Sequence, residues 1–197
     1  GISGSGNESS ILISNSTFNN NTSANTGGAA ILVEDEAKPS INILNSTFYS
    51  NRCQNSQYNA CSVIRLAGNE GTSVKMYNTT LMGTCFNEKG SMEFYNSLIE
   101  ATGPNVLNSS SYIAYQGLTS NTDDVAISNH RKFADAFKYI LSYDCGFSPV
   151  LRLKNGTDAD LDKSVNTLGV IEGVDLSTDE CGKVRGAQSN MGAVESE

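Results

Sequence analysis

Four copies of one phrase constrain the fold of this chain more than any other feature. "ILISNSTFNNN" begins at Ile11, "INILNSTFYSN" at Ile41, "VKMYNTTLMGT" at Val74 and "MEFYNSLIEAT" at Met92. Aligned on Asn15, Asn45, Asn78 and Asn96, they step by 30, 33 and 18 residues. Two and four positions before each Asn stand apolar residues: Ile13 and Ile11, Ile43 and Ile41, Met76 and Val74, Phe94 and Met92. Period-two alternation of this kind marks a strand with one buried face. Three positions after each Asn comes another large apolar residue: Phe18, Phe48, Leu81 and Ile99.

A period of about 20–30 residues with no helical segment in it means stacked coils. One turn cannot bury its apolar face alone, whereas a stack buries a continuous core. The expected fold is all-β, a right-handed parallel β-helix: a solenoid of three-strand coils over residues 1–127. Each coil would hold an "AILVE"-like, an "INILN"-like and a "TFYS"-like strand. A β-sandwich is the alternative, but a sandwich has no reason to repeat the whole phrase. Beyond about residue 104 the repeat fades, and residues 128–197 read as an irregular C-terminal capping segment packed on the stack. Within it, Phe133, Phe137, Ile140 and Leu141 fall at roughly helical spacing, consistent with a short amphipathic helix.

The repeated Asn has a physical role in such a coil. It falls where the second strand bends into the third, and Asn tolerates the left-handed backbone that a sharp bend needs. Asn15, Asn45, Asn78 and Asn96 are therefore expected to form a structural ladder from coil to coil. The phrase is also a glycan acceptor pattern: Asn-x-Ser/Thr occurs at Asn7, Asn15, Asn20, Asn21, Asn45, Asn78, Asn108 and Asn155. A buried Asn could not carry a sugar, which leaves Asn7, Asn20, Asn21, Asn108 and Asn155 as the candidate glycosylation sites.

Composition narrows the functional classes. The 21 acidic residues outnumber the 13 basic ones, giving a net charge of −8, and no basic cluster exceeds Arg131-Lys132. Nucleic acid and anionic membrane surfaces are poor partners for such a chain. No apolar run reaches the roughly 20 residues of a membrane helix, and "GISGSGNESS" has neither the basic start nor the apolar stretch of a signal peptide. Charged residues make up only 17% of the chain, and small polar residues abound, which suits an extracellular or cell-surface β-protein.

The five cysteines, Cys53, Cys61, Cys85, Cys145 and Cys181, contain no C-x-x-C pair, and the single His130 is remote from them in sequence. A zinc site is not expected, and neither is a cofactor. All five are candidates, and two disulfides plus one leftover thiol fit an oxidising compartment. Cys53 could close the excursion to Cys61, or bridge to Cys85 in a neighbouring coil.

The tail carries the more specific resemblance. In "DECGKVR", Asp179, Gly182 and Arg185, and in "NMGAVE", Gly192, Ala193 and Glu195, resemble the closing segment of secreted β-helix proteins of the choice-of-anchor Q type. "GTDADLDKS" and Asn190-Met191 depart from that pattern. Upstream, "GGAAI", "FNNN" and "FYSN" resemble repeats of chlamydial polymorphic outer-membrane proteins. Both resemblances imply a right-handed β-helix on or outside a cell, and neither implies a particular chemistry.

Polysaccharide lyases share this architecture and define the rival class. They need carboxylates that hold Ca²⁺ and a Lys or Arg base on successive coils of one sheet. The chain offers Glu34, Asp35 and Glu36 in one coil and Arg65 in the next, with no acidic match at 62–68. Asp158, Asp160 and Asp162 alternate, but in the tail, and they lack the later ligands of a Ca²⁺ loop. No catalytic constellation emerges. The expected function is a non-catalytic structural or adhesive module, an adhesin or a self-assembling fibre subunit carrying glycans. Its partners would be itself, end to end, or neighbouring segments of a longer chain, with carbohydrate as a further candidate and no membrane insertion. A Ca²⁺-dependent, pectate-lyase-like enzyme is the alternative.

Overall fold

The computed structural model describes residues 2–4, 9–24, 27–34, 38–54, 63–67, 70–87, 89–95, 97–102, 113–115, 118–120, 143, 145, 149–151, 164–165, 175–186, 188–189 and 192–194. Among these the chain is all-β, with parallel strands in stacked sheets and no helix. The segment with helical spacing, 133–141, lies outside the described residues.

Coil 1 contains β1 (Ile2–Gly4), β2 (Ser10–Ser14), β3 (Thr17–Asn19) and the short β4 (Thr22–Ser23). Coil 2 repeats the set as β5 (Ile31–Val33), β6 (Ser40–Leu44), β7 (Thr47–Tyr49) and β8 (Arg52–Cys53). Coil 3 holds β9 (Ile64–Leu66), β10 (Ser73–Tyr77) and the first half of β11 (Thr80–Asn87). The three expected strands per coil are present. The fourth, β4 pairing with β8, is an addition that two-residue strands give too little pattern to reveal.

Register follows the repeat. Ile11 pairs with Ile41, Ile41 with Val74 and Val74 with Met92, in the sheet ordered β12-β10-β6-β2, where β12 is Ser91–Tyr95. Phe18, Phe48, Leu81 and Ile99 align in the same way, the last on β13 (Leu98–Thr102). The rings of Phe18 and Phe48 stack with centroids 4.7 Å apart and planes 3° apart, close to the ~4.8 Å between hydrogen-bonded strands. Identical side chains placed one coil apart are thereby held at van der Waals distance by the backbone itself.

The step of 18 residues also has a structural cause. β11 serves twice: Thr80 and Leu81 pair with β7 as the third strand of coil 3, and Cys85–Asn87 pair with β9 as the first strand of coil 4. The register shifts between Leu81 and Thr84, at Gly83 with φ of 128°. A Cβ on Gly83 would come within 2.3 Å of Val63 Cγ2, so only glycine lets the strand change faces there.

The interior is filled from all three faces. Ile31, Ile64 and Leu66 come from the first, Ile41, Ile43, Val74 and Met76 from the second, and Phe48 and Leu81 from the third, all at most 2% exposed. Each contributes roughly 1.5–3 kcal/mol by leaving water. Leu151, from the C-terminal part of the chain, joins the same cluster. Two further antiparallel ladders lie beyond the coils: β14 (Ile113–Tyr115) with β15 (Leu118–Ser120), and β16 (Ser164–Val165) with β17 (Gln188–Ser189). Among the described residues no helix is long and apolar enough to cross a membrane.

Candidate functional site

The polar chemistry of the molecule gathers where the second strand bends into the third. Asn15, Asn45 and Asn78 all take the left-handed conformation there, with φ of 46°, 42° and 46°. Their amides continue the stack: Asn15 N–H donates to Leu44 O at 3.1 Å, and Asn45 N–H to Tyr77 O at 3.0 Å. Asn96 lies outside the described residues.

A hydroxyl ladder follows the asparagines. Ser46 Oγ donates to Leu44 O at 2.7 Å and accepts from Ser16 N–H at 3.3 Å. Ser97 Oγ accepts from Thr79 N–H at 3.1 Å two coils further on. The side-chain ladder of asparagines is found six residues later, at a second left-handed bend formed by Asn20 and Ser50, with φ of 54° and 53°. There Asn21 Nδ2 donates to Asn51 Oδ1 at 2.8 Å, and Asn51 Nδ2 donates to Phe18 O at 2.9 Å.

These placements sort the glycan candidates. Asn20 is exposed, whereas the Asn21 amide is held by Asn51. Asn15 is exposed although it belongs to the repeat, and Asn45 and Asn78 are buried at 1% and 0% exposure. Asn7, Asn108 and Asn155 fall outside the described residues.

What buries Asn45 is the C-terminal segment. Asn45 Nδ2 donates to Thr178 O at 2.8 Å, and Asn45 Oδ1 accepts from Arg185 Nη2 at 3.2 Å. The guanidinium of Arg185, itself 4% exposed, also reaches Gly192 O at 3.0 Å and Ala193 O at 2.9 Å. Asp179 Oδ1 accepts from the amides of Cys181 and Lys183, both at 2.8 Å, and closes a turn in which Gly182 has φ of 81°. An antiparallel bridge between Thr178 and Val184 completes it. Asp179, Gly182 and Arg185 thus brace the tail through backbone contacts. Glu195 and the alternating Asp158, Asp160 and Asp162 lie outside the described residues.

The docking line is a row of threonines in register: Thr17 on β3, Thr47 on β7 and Thr80 on β11. Thr17 Oγ1 lies 2.8 Å from Pro149 O and 2.8 Å from Glu180 Oε1. Thr47 Oγ1 reaches Glu180 Oε2 at 2.5 Å, and Thr80 Oγ1 accepts from Ala193 N–H at 3.0 Å. Burial pushes the Glu180 carboxyl up to about 7, against the two threonine hydroxyls, with the Asp179 charge adding to the rise. Sequence reasoning passed over these threonines because "NST" and "NTT" read as a turn or a sequon. Their recurrence two residues after Asn15, Asn45 and Asn78 is the available signal.

Above this line an apolar pair faces outwards. Leu44 and Tyr77 end their strands on the outer face and are covered by Leu176. Burial, and secondarily the Glu93 charge, pushes the Tyr77 hydroxyl up to about 12. Alternation predicts inward apolar residues only, so this pair is legible just as two strand ends that break the pattern.

The cysteines divide into three environments. Cys145 and Cys181 form a disulfide beside the small cluster of Val150, Ala193 and Val194. Cys53 is also disulfide-bonded, and Cys61 lies outside the described residues. Cys85 is free, which corrects its candidacy and the Cys53–Cys85 bridge. Its side chain points into the core at 0% exposure, where burial raises the thiol far above its ordinary range, while β8 runs along a separate ladder.

Of the residues weighed for lyase chemistry, Glu34 is exposed just beyond β5 and Arg65 is half-buried on β9, while Asp35 and Glu36 lie outside the described residues. On the sheet of β10 and β12, Lys75 Nζ pairs with Glu93 Oε2 at 3.3 Å. Among the described residues no group of three or more His, Cys, Asp or Glu side chains is placed to hold a metal ion. No family model, no curated protein and no solved structure matches the chain.

Proposed function

We propose that this chain is a non-catalytic structural or adhesive module of the cell surface or extracellular space, able to assemble end to end through its first coil. Its coil is taken as right-handed, the hand adopted by nearly all parallel strand crossovers. In that form it is similar to the choice-of-anchor Q and polymorphic outer-membrane types suggested by its tail and repeats.

The observation that carries this reading is the state of coil 1. Among the described residues, β1, β2 and β3 each end their sheet order. Ile11 and Phe18 are only partly buried there, whereas Ile41 and Phe48 one coil below are 2% and 0% exposed. Open strand edges with part-covered apolar side chains invite pairing with a further layer. The buried Asn45 and Arg185 and the part-buried Glu180 support the same reading, since they join coil to tail rather than face a groove.

Electron microscopy beside light scattering of the purified chain tests the proposal. Fibres whose subunit rise is a few tens of ångströms are expected. A monodisperse monomer at high concentration overturns the assembly. Release of unsaturated sugars from an acidic polysaccharide in the presence of Ca²⁺ overturns the non-catalytic reading.

A further inference from the structure

We propose that the C-terminal segment is a pH-sensitive latch on the coils, closed while Glu180 carries a proton between Thr17 and Thr47 and loosened when that proton is lost. The hydroxyl hydrogens available at the docking line require that proton. Thr17 Oγ1 has one hydroxyl hydrogen but two acceptor oxygens at 2.8 Å, Pro149 O and Glu180 Oε1. A carbonyl and an ionised carboxylate can only accept. One of the two contacts is then left without a hydrogen, and its oxygens repel.

A protonated Glu180 resolves the arrangement completely. Its Oε1–H donates to Thr17 Oγ1, Thr17 donates to Pro149 O, and Thr47 Oγ1 donates to Glu180 Oε2. The chain of hydrogen bonds then ties residues 149 and 180 to two successive coils at once. Glu180 N–H, donating to Ala193 O at 2.9 Å, extends the tie to the last described turn.

The charges around the carboxyl favour the neutral form. Asp179, next in the chain and 1% exposed, accepts from the amides of Cys181 and Lys183, and its charge raises Glu180 further. Arg185 gives Nη2 to Asn45 Oδ1 and to the carbonyls of Gly192 and Ala193. Lys183 is exposed on the turn. From the coils, the groups that meet the carboxyl are the uncharged hydroxyls of Thr17 and Thr47.

The sign follows from where the proton binds more tightly. In the docked tail Glu180 titrates near 7, against an ordinary value of 4.5 when released. Docking is therefore strongest below about pH 4.5, weakens about tenfold per pH unit up to about pH 7, and is constant above it. The whole window amounts to on the order of 300-fold in the docking equilibrium. Opening withdraws Leu176 from Leu44 and Tyr77, and so uncovers an apolar pair on the outer sheet face at neutral and higher pH.

Two measurements on the oxidised full chain test the latch. The first is the exchange protection of the Ala193 amide, which donates to Thr80 on the coils. Corrected for intrinsic exchange, it is expected to fall between pH 5 and 7 and to stay level in Glu180→Gln, whose amide can donate to Thr17 at every pH. Level protection in the wild type, or an equal fall in the variant, overturns the proposal. The second is the carboxyl ¹³C titration of Glu180 in the unmodified protein, which does not depend on how the variant folds. A midpoint near 7 is expected, and one in the ordinary carboxylate range overturns the latch.

Discussion

Coils 1 and 2 carry almost the same phrase, "ILISNSTF" and "INILNSTF", and yet sit in different surroundings. Ile13 and Asn15 belong to an edge coil, and Asn15 is exposed; Ile43 and Asn45 are 0% and 1% exposed. Among the described residues Phe18 stacks on Phe48 alone, whereas Phe48 is covered by Phe18 above and pairs in register with Leu81 below. Ser14 ends the second strand of coil 1, and Leu44 ends that of coil 2 beneath Leu176 of the tail. The local conformation is the same in both coils; the energetic weight of each residue depends on what lies above and beside it.

The largest effect should separate the two phenylalanines. Phe48→Ala empties a fully buried site and should cost about 3–5 kcal/mol, while Phe18→Ala should cost roughly half as much because its ring is already part-exposed. Denaturant unfolding of both variants checks this. Equal losses would mean that coil 1 is as fully covered as coil 2, and would remove the motive for end-to-end assembly.

Next come the bonds that order the tail and dock it on coil 2. Replacing both Cys145 and Cys181 by Ser releases a link between residues 36 apart in sequence, which should weaken the tail by about 3–4 kcal/mol on loop-closure grounds. Calorimetry should show the tail melting before the coils. A single unchanged transition would mean that the threonine row alone holds it. Arg185→Met takes the donor from the Gly192 carbonyl and the Asn45 oxygen and one of two donors from the Ala193 carbonyl, which keeps Glu180 N–H, for a loss of about 2–3 kcal/mol. Circular dichroism melts of this variant beside one that also carries Asn45→Ala measure how much of the loss passes through Asn45.

The smallest difference concerns the bends. Asn15→Ala and Asn45→Ala both force a non-glycine residue into the left-handed region, costing about 1 kcal/mol each. Asn45→Ala should lose about 1 kcal/mol more, because its two side-chain bonds to Thr178 and Arg185 go with it. Asn15→Gly should be near neutral, since glycine accepts φ of 46° without strain. If both alanine variants lose the same amount, the tail does not depend on Asn45.

The sequence by itself determined the strands, their register and the bends. Alternation at Ile11 and Ile13, the asparagines at the turn and the aligned Phe18 and Phe48 are local patterns repeated at a fixed period. Stacking then brings each copy onto the next without any long-range information. The strand shared between coils 3 and 4 was legible only as a short step between Asn78 and Asn96. Tertiary structure alone decided what those bends are used for. Whether Asn45 is buried while Asn15 is exposed, whether Thr17 and Thr47 meet Glu180, and what covers Leu44 all turn on where the described residues between 149 and 194 lie. That segment carries no repeat. Its position rests on contacts between residues more than a hundred apart in sequence, such as Arg185 with Asn45 and Ala193 with Thr80. No periodicity connects such pairs, so only the folded chain could bring them together.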